Sequence, residues 1–412
     1  MVSPAMIRKM TTENFFSFRE EVTLDLTTSA KTPTDDSFKK SIYGDQVSIL
    51  GGVFGPNASG KTNLLKGLSF LHFFLRHSYK DLASKQAIPI DGYVGSKAPV
   101  KFTLEFEGQA HVYRYDLELT SDQVISERLR RYFKTTNSFR TILARKAGKK
   151  GPLISQAEGF TDPELITKLL VDRPNASMIS AGLVTGRPEF KKLLEALGHF
   201  ECNVIRTGKM DSHRGTMMDQ MIESGEYFRE NPHFIEDVEY RLKQADLGIT
   251  KFEIREVEVM IKNDGETKKT HFPFVTHKSA TGEFTFSLLQ ESSGTQRLFI
   301  LLRAFLPVLT EGGIAVIDEM ESDLHPHLIP LLLSLFVDSD SNPKRAQLVF
   351  TCHHVEVLNQ LSKEQIFLVE KDDDNQSTVK RLSDYKGIRR DENHFANYNA
   401  GRYDAIPEPK AY

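Results

Sequence analysis

Gly55-Pro56-Asn57-Ala58-Ser59-Gly60-Lys61-Thr62 fits the spacing G-x-x-x-x-G-K-[ST] without exception. An apolar run, residues 47–54, leads into it. Residues 63–77 follow with Leu64, Leu65, Leu68, Leu71 and Phe74 at helical spacing. A short apolar run ending at glycine reads as a buried parallel strand, and the spacing after it reads as a helix. Strand, glycine loop and helix N-terminus together make an anion cradle. The glycines let successive backbone N–H groups curl around a phosphate, and the helix end adds partial positive charge. Gly55, Asn57, Ala58, Ser59, Gly60, Lys61, Thr62 and Asn63 are the candidate contacts. Lys61 is placed to reach the β- and γ-phosphates and the Thr62 hydroxyl to ligate Mg²⁺, so the expected ligand is ATP with Mg²⁺.

Three further stretches extend this reading. In Ile314-Ala-Val-Ile-Asp318-Glu319 an apolar strand delivers two carboxylates at its C-terminal end, where open α/β sheets bind ligands. Asp318 is the expected Mg²⁺-shell ligand, and Glu319 the residue that polarises an attacking water. Ser292-Ser293-Gly294-Thr295 stands directly ahead of an apolar helix, so Ser293 and Gly294 with that helix end form a second anion site. Gln347-Leu-Val-Phe-Thr351-Cys-His353 is another apolar strand with a polar end, and His353 is the candidate contact to the γ-phosphate. His325 and His327 lie two residues apart without further ligands nearby; they are expected to be structural rather than metal-binding.

The rest of the chain supplies the frame. Residues 7–26 read as extended, with Val22, Leu24 and Leu26 alternating, and strands recur over 100–106 and 111–119. Residues 155–248 look helical, best at 163–171, 188–197 and 233–245. Residues 251–261 alternate again, and Asn263-Asp264-Gly265 signals a turn. From 292 onward helices (298–309, 324–337) alternate with strands (314–317, 347–351, 366–369), which argues for a parallel α/β sheet. The expected division is 1–150, a helical region over 151–248, and 249–412.

Composition excludes several classes. The 412 residues carry 53 Lys and Arg against 56 Asp and Glu, a net charge of −3, so a uniformly basic nucleic-acid coat is excluded. The two cysteines, Cys202 and Cys352, are unpatterned, which fits a reducing cytoplasm rather than a disulfide framework. No apolar run approaches the roughly 20 residues of a membrane span, and no membrane association is expected. One segment breaks the even balance. Residues 127–150 hold Arg128, Arg130, Arg131, Lys134, Arg140, Arg145, Lys146, Lys149 and Lys150 against one acid, Glu127, with Tyr132, Phe133 and Phe139 interleaved. That strip is the candidate contact to nucleic acid, or else the solvated face of a hairpin.

Together the four motifs resemble the ATP-binding-cassette type of P-loop ATPase. Their long separation, with Glu13-Asn-Phe-Phe-Ser-Phe18 near the start, is similar to the SMC, Rad50 and RecF branch. The nearer likeness is to bacterial AAA_15/AAA_21 ATPases of the RloA/AbiL type from phage-defence loci. It is carried by 55–63, 317–328, Thr351-Cys-His353, Val369-Glu-Lys371 and the tail Ala400-Gly-Arg-Tyr-Asp-Ala-Ile-Pro407. The resemblance implies an α/β ATPase head, with 1–150 and 249–412 as its N- and C-terminal parts and 151–248 as an inserted, mainly helical subdomain. It also implies ATP hydrolysis at composite sites between subunits. Ser293 and Gly294 would meet the nucleotide of a second copy in a head-to-head dimer or larger assembly, and Asp323 would lie in the interface loop. Thr295 stands where transporter signatures have glycine. Phe16 stands where the branch often carries a basic residue, with Arg19 as a substitute.

Two functions follow as expectations. The first is a regulatory ATPase of anti-phage defence that controls a separately encoded effector, a TOPRIM-type nuclease or another toxin. Only 59 residues follow His353, too few for an appended nuclease domain of ordinary size. Asp372-Asp373-Asp374 reads as a solvated turn rather than a nuclease metal site. The alternative is a RecF- or Rad50-like repair clamp that binds duplex DNA through the basic strip.

Overall fold

The computed structural model describes residues 5–32, 35–149, 151–157, 160–205, 208–209, 217–245, 248–260, 267–403 and 405. Lys150, the 263–265 turn and most of the tail beyond Tyr403 lie outside them.

The chain opens with β1 (Met6–Glu13) and β2 (Val22–Asp25). Three short strands follow, β3 (Thr27–Thr28), β4 (Phe38–Lys40) and β5 (Gln46–Ser48), then β6 (Leu50–Phe54), α1 (Lys61–Arg76) and α2 (Ser78–Asp81). Next come β7 (Val100–Gly108), β8 (His111–Leu119), β9 (Val124–Phe133), β10 (Ser138–Lys146) and β11 (Leu153–Gln156). Three helices, α3 (Pro163–Leu170), α4 (Met178–Leu183) and α5 (Pro188–Glu195), lead to β12 (His199–Cys202), β13 (Val204–Ile205) and β14 (Gly208–Lys209). Then run α6 (Met217–Glu230), α7 (Ile235–Ala245), β15 (Ile249–Met260), β16 (Thr267–Ser279), β17 (Gly282–Ser287) and α8 (Ser293–Glu311). The order closes with β18 (Gly313–Ile317), α9 (Leu328–Val337), β19 (Gln347–Thr351), β20 (Ile366–Lys371), β21 (Ser377–Arg381) and α10 (His394–Asn399).

The described residues fall into two compact units. The first comprises Met1–Gly208, Val308–Met320 and Leu333–Tyr412; the second comprises Lys209–Pro307 and Glu321–Leu332. The first unit is the expected α/β head. Its six-stranded sheet runs β12-β18-β19-β6-β20-β21, with the first five strands parallel and β21 antiparallel. β6, β18 and β19 are buried on every residue, as continuous apolar strands covered on both faces should be. A seven-stranded antiparallel sheet, β11-β10-β9-β8-β7-β1-β2, belongs to the same unit. Gln347 joins the two sheets: its Oε1 accepts from Ile7 N at 2.7 Å, and its Nε2 donates to Ile7 O and Ser48 O, both at 2.9 Å.

The expected division at 151 and 248 differs from this partition. Ile166 and Leu170 of α3, Met178 and Ile179 of α4, and Phe190 and Leu193 of α5 share one buried core with Met10, Phe102 and Leu129. The first half of the supposed insertion is therefore head. Burial of those apolar stripes against the strands decides the matter, since helices this short are marginal alone. The region 155–248 is also not all helical, because β12 is the edge strand beside β18. The helix expected over 324–337 begins only at Leu328. Pro326 disfavours helical backbone at His325, and that turn closes through Leu328 N to His325 O at 2.8 Å.

The second unit, treated by itself, is a three-stranded antiparallel sheet, β15-β16-β17, with α6, α7 and most of α8. Phe299 of α8 packs on Phe228 of α6 and Phe252 of β15, at ring-centroid distances of 5.4 and 5.6 Å.

A buried polar cluster fixes α4 onto the antiparallel sheet of the first unit. Glu127, 1% exposed, accepts from Tyr115 Oη at 2.8 Å, from Ser177 Oγ at 2.6 Å and from Met178 N. Arg145 lies 3.7 Å away. Burial pushes the Glu127 carboxyl up and the Arg145 guanidinium down, so desolvation opposes the pair and the hydrogen bonds hold it. Glu127→Ala leaves the buried Arg145 guanidinium without its carboxylate, held by the backbone carbonyls of Arg173, Pro174 and Ala176. The expected loss is about 3 kcal/mol, read as a lower urea midpoint; an unchanged midpoint contradicts it.

Candidate functional site

The C-terminal ends of β18, β19, β6 and β20 share one edge of the sheet. Their terminal residues enclose a cleft of about 330 Å³, lined by residues 57–63 together with Asp318, Glu319, Thr351, His353 and Lys371. All of these belong to the first unit.

The loop is shaped by its neighbours. Gly55 has φ +148°, and a Cβ there would lie 2.1 Å from Val369 O on β20. Gly60 has φ +114°, and its Cβ would meet Ser377 Oγ at 2.6 Å. Only glycine fits either position. Ala58, at φ +61°, sits in the left-handed region that ordinary side chains disfavour. Ser377 Oγ donates to Ser59 O at 2.6 Å, and Asn63 Nδ2 donates to Ser17 Oγ at 2.9 Å, so both ends of the loop are pinned.

Helix α1 begins with no side-chain cap and no acid in its first turn. Its N-terminal amides therefore present their partial positive charge to the cleft without a competing carboxylate. Lys61 is 6% exposed, and its Nζ donates to Gly55 O and Pro56 O, both at 2.8 Å. Ser59 Oγ is buried without a hydrogen-bond partner. A shaped loop, an uncapped helix end and an orphaned hydroxyl fit a bound polyphosphate.

The Asp318 side chain links two strand ends and the start of α1. Its Oδ2 accepts from Thr62 Oγ1 at 2.8 Å, and its Oδ1 accepts from Thr351 Oγ1 at 2.7 Å. The same Thr351 oxygen accepts from Glu319 N at 2.7 Å, at a residue with φ +47°. Thr62 and Asp318 thus offer a hydroxyl and a carboxylate side by side, the hard oxygen donors that Mg²⁺ takes in phosphate sites.

Asn203 carries no signal in the sequence. It follows β12, where its Oδ1 accepts from Asp318 N at 2.7 Å and its Nδ2 donates to Asp318 O at 2.9 Å. Thr351, Ser377 and Lys371 were likewise not singled out from the sequence. Thr351 is the hydroxyl that ends β19, and Lys371 is the residue that ends β20.

Ser293, Gly294 and Asp323 belong to the second unit. There α8 is capped by Ser292, whose Oγ accepts from Thr295 N at 3.2 Å, leaving Ser293 exposed as the first helical residue. A Cβ on Gly294 would stand 3.2 Å from Asp323 O, and Asp323 has φ +63°. The imidazoles of His325 and His327 meet edge to face, and His327 N donates to His325 Nδ1 at 3.3 Å. Among the described residues no group of three or more His, Cys, Asp or Glu is arranged to hold a metal. Arg19 does not line the cleft; it is exposed and 3.9 Å from Glu20. Phe16 lies under Lys66, whose Nζ is 4.2 Å from its ring centre.

The basic strip is strands β9 and β10. Arg130 pairs with Asp116 at 2.5 Å, and Arg145 is buried with Glu127. Tyr132 stacks on Tyr43 at 3.9 Å, and the Arg131 and Arg140 guanidiniums lie over Phe133. Two of its arginines are thus ion-paired within the fold, and Tyr132 is stacked there. No helix among the described residues is long and apolar enough to cross a membrane.

A family model, AAA_21, described as "AAA domain, putative AbiEii toxin, Type IV TA system", matches residues 52–165 and 215–359, together more than half of the chain. No curated protein matches. Solved structures that align include the SMC head domain from Thermotoga maritima, at 11% identity over 91% of this chain and 98% of that one, TM-score 0.40. Another is the Smc head with an extended coiled coil bound to the C-terminal domain of ScpA, derived from Pyrococcus furiosus, at 11% identity over 92% and 97%, TM-score 0.40. A third is the SmcHead bound to the C-winged helix domain of ScpA, at 12% identity over 91% and 96%, TM-score 0.41.

Asn203→Ala would orphan the N–H and C=O of Asp318. The expected cost is about 2 kcal/mol, measured by urea unfolding against wild type; a difference under about 0.5 kcal/mol, the scale of an ordinary surface substitution, contradicts it.

Proposed function

The chain belongs to the AAA_21 family of P-loop ATPases, and from that membership we propose that it hydrolyses ATP in this cleft and thereby regulates a separately encoded effector in anti-phage defence. The observation that carries the enzymatic part is the convergence of Lys61, Thr62, Asp318, Glu319, Thr351 and His353 on one cleft.

Each residue has a task in this reading. The amides of residues 57–62 and the start of α1 bind the polyphosphate. Lys61, already buried and aimed along the loop, adds a fixed positive charge. Thr62 and Asp318 hold Mg²⁺, which supplies charge neutralisation and orientation to the phosphates. Glu319 polarises the attacking water, and Thr351 fixes its backbone. His353 approaches the γ-phosphate end. Ser293 and Gly294, with Asp323 behind them, face the nucleotide of a second copy, so that ATP closes a dimer and hydrolysis opens it. The family's description supports the defence role. The basic strip supports a DNA clamp less well, since Asp116 and Glu127 already take two of its arginines.

Two experiments test this. In phosphate-release and nucleotide-binding assays Lys61→Ala loses binding. Glu319→Gln keeps binding, with turnover lowered about 10²- to 10³-fold, the usual scale for loss of a general base. Wild-type turnover in either variant overturns the ATPase assignment. In plaque assays on cells carrying the locus, wild type lowers the plaque count and Lys61→Ala restores it; equal counts overturn the defence role.

A further inference from the structure

Lys371 is the last residue of β20, and its side chain lines the same cleft as the phosphate loop. Strand order places it opposite the acids. β18, with Asp318 and Glu319, and β19, with His353, lie on one side of β6, and β20 lies on the other. The cleft is therefore bounded by carboxylates on one flank and by this ammonium on the other.

Its position is fixed from three directions. Two residues earlier, Val369 O fills the space that a Cβ at Gly55 would need. In the β20–β21 hairpin Lys371 pairs with Ser377. Ser377 in turn donates through N to Ser17 O at 2.8 Å and through Oγ to Ser59 O at 2.6 Å. The lysine is thus anchored to the loop by backbone register.

Its charge is uncommitted. Among the described residues the Lys371 ammonium has no ion-pair or hydrogen-bond partner, whereas Lys61 is held by two loop carbonyls. Neighbouring Asp372 is used by the hairpin turn, where its Oδ1 accepts from Gln376 N at 2.7 Å. An exposed, unpaired cation at the lip of a phosphate cleft strengthens ligand binding without first breaking a contact.

We propose that Lys371 is a second phosphate-binding cation of this site, closing on the polyphosphate of a nucleoside di- or triphosphate from the flank opposite Asp318 and Glu319. This rests on the cleft being a nucleotide site, as argued above. Lys371 recognises charge rather than the base, so its contribution weakens as salt rises.

The test is calorimetric titration of the full chain with MgADP and with a non-hydrolysable MgATP analogue, at two ionic strengths. Lys371→Ala is expected to weaken both ligands about tenfold at low salt, the scale of one charge-assisted contact. The deficit should shrink at high salt. Lys371→Arg restores most of the affinity, and Lys371→Glu binds more weakly than Lys371→Ala. Affinities of Lys371→Ala within twofold of wild type, while Lys61→Ala abolishes binding, overturn the role of Lys371 and leave the nucleotide site standing. Absence of binding by wild type, or unaltered binding by Lys61→Ala, overturns the nucleotide site itself. Thermal unfolding of each variant without nucleotide checks folding, and Lys371→Arg keeps the comparison decisive if Lys371→Ala is unstable.

Discussion

The shared carboxylate of Asp318 holds the site together. One oxygen is bound by the hydroxyl at the start of α1 and the other by the hydroxyl at the end of β19. Its peptide is gripped on both sides by Asn203. Three strand ends and a helix N-terminus are thereby positioned against one group. A buried carboxylate needs hydrogen-bond donors to offset its lost hydration, and here the donors are Thr62 and Thr351, two residues that line the same cleft. The bonds that make the acid tolerable in the interior also aim Glu319, because Thr351 serves both residues with a single oxygen.

The loop around this carboxylate is rigid for a different reason. Its glycines answer to close packing: Gly55 to a carbonyl of β20, Gly60 to the Ser377 hydroxyl. The antiparallel sheet is tied to the same body through Gln347, whose amide satisfies backbone groups of β1 and of Ser48, the last residue of β5. The first unit thus behaves as two sheets bound by a few fully satisfied polar contacts within a continuous apolar core.

How much of this was legible follows from the range of each signal. The phosphate loop, the strand ending at Asp318 and the strand ending at Thr351 were readable because each is a contiguous apolar run with a polar end. The α/β alternation of the C-terminal third was readable for the same reason. Asn203 was not, because β12 is four residues long and sits beyond three helices, where no periodicity survives. The unit boundary was misplaced because α3 to α5 look the same in sequence whether they bury their stripes on a sheet or on one another. The late start of α9 was signalled by Pro326, which the apolar run around it outweighed. The role of Thr351 depends on a partner 33 residues away, and that of Ser377 on one 318 residues away, distances at which a single sequence is silent.

The steric contact between Gly55 and Val369 has a consequence for reading related chains. The first glycine of the loop is imposed by the neighbouring strand even before any ligand is considered. A descendant that had lost Lys61 and Asp318 would still have no room for a methyl group at that position. Persistence of the glycine therefore records the survival of the sheet, and carries no information about the chemistry proposed for Lys61 and Asp318.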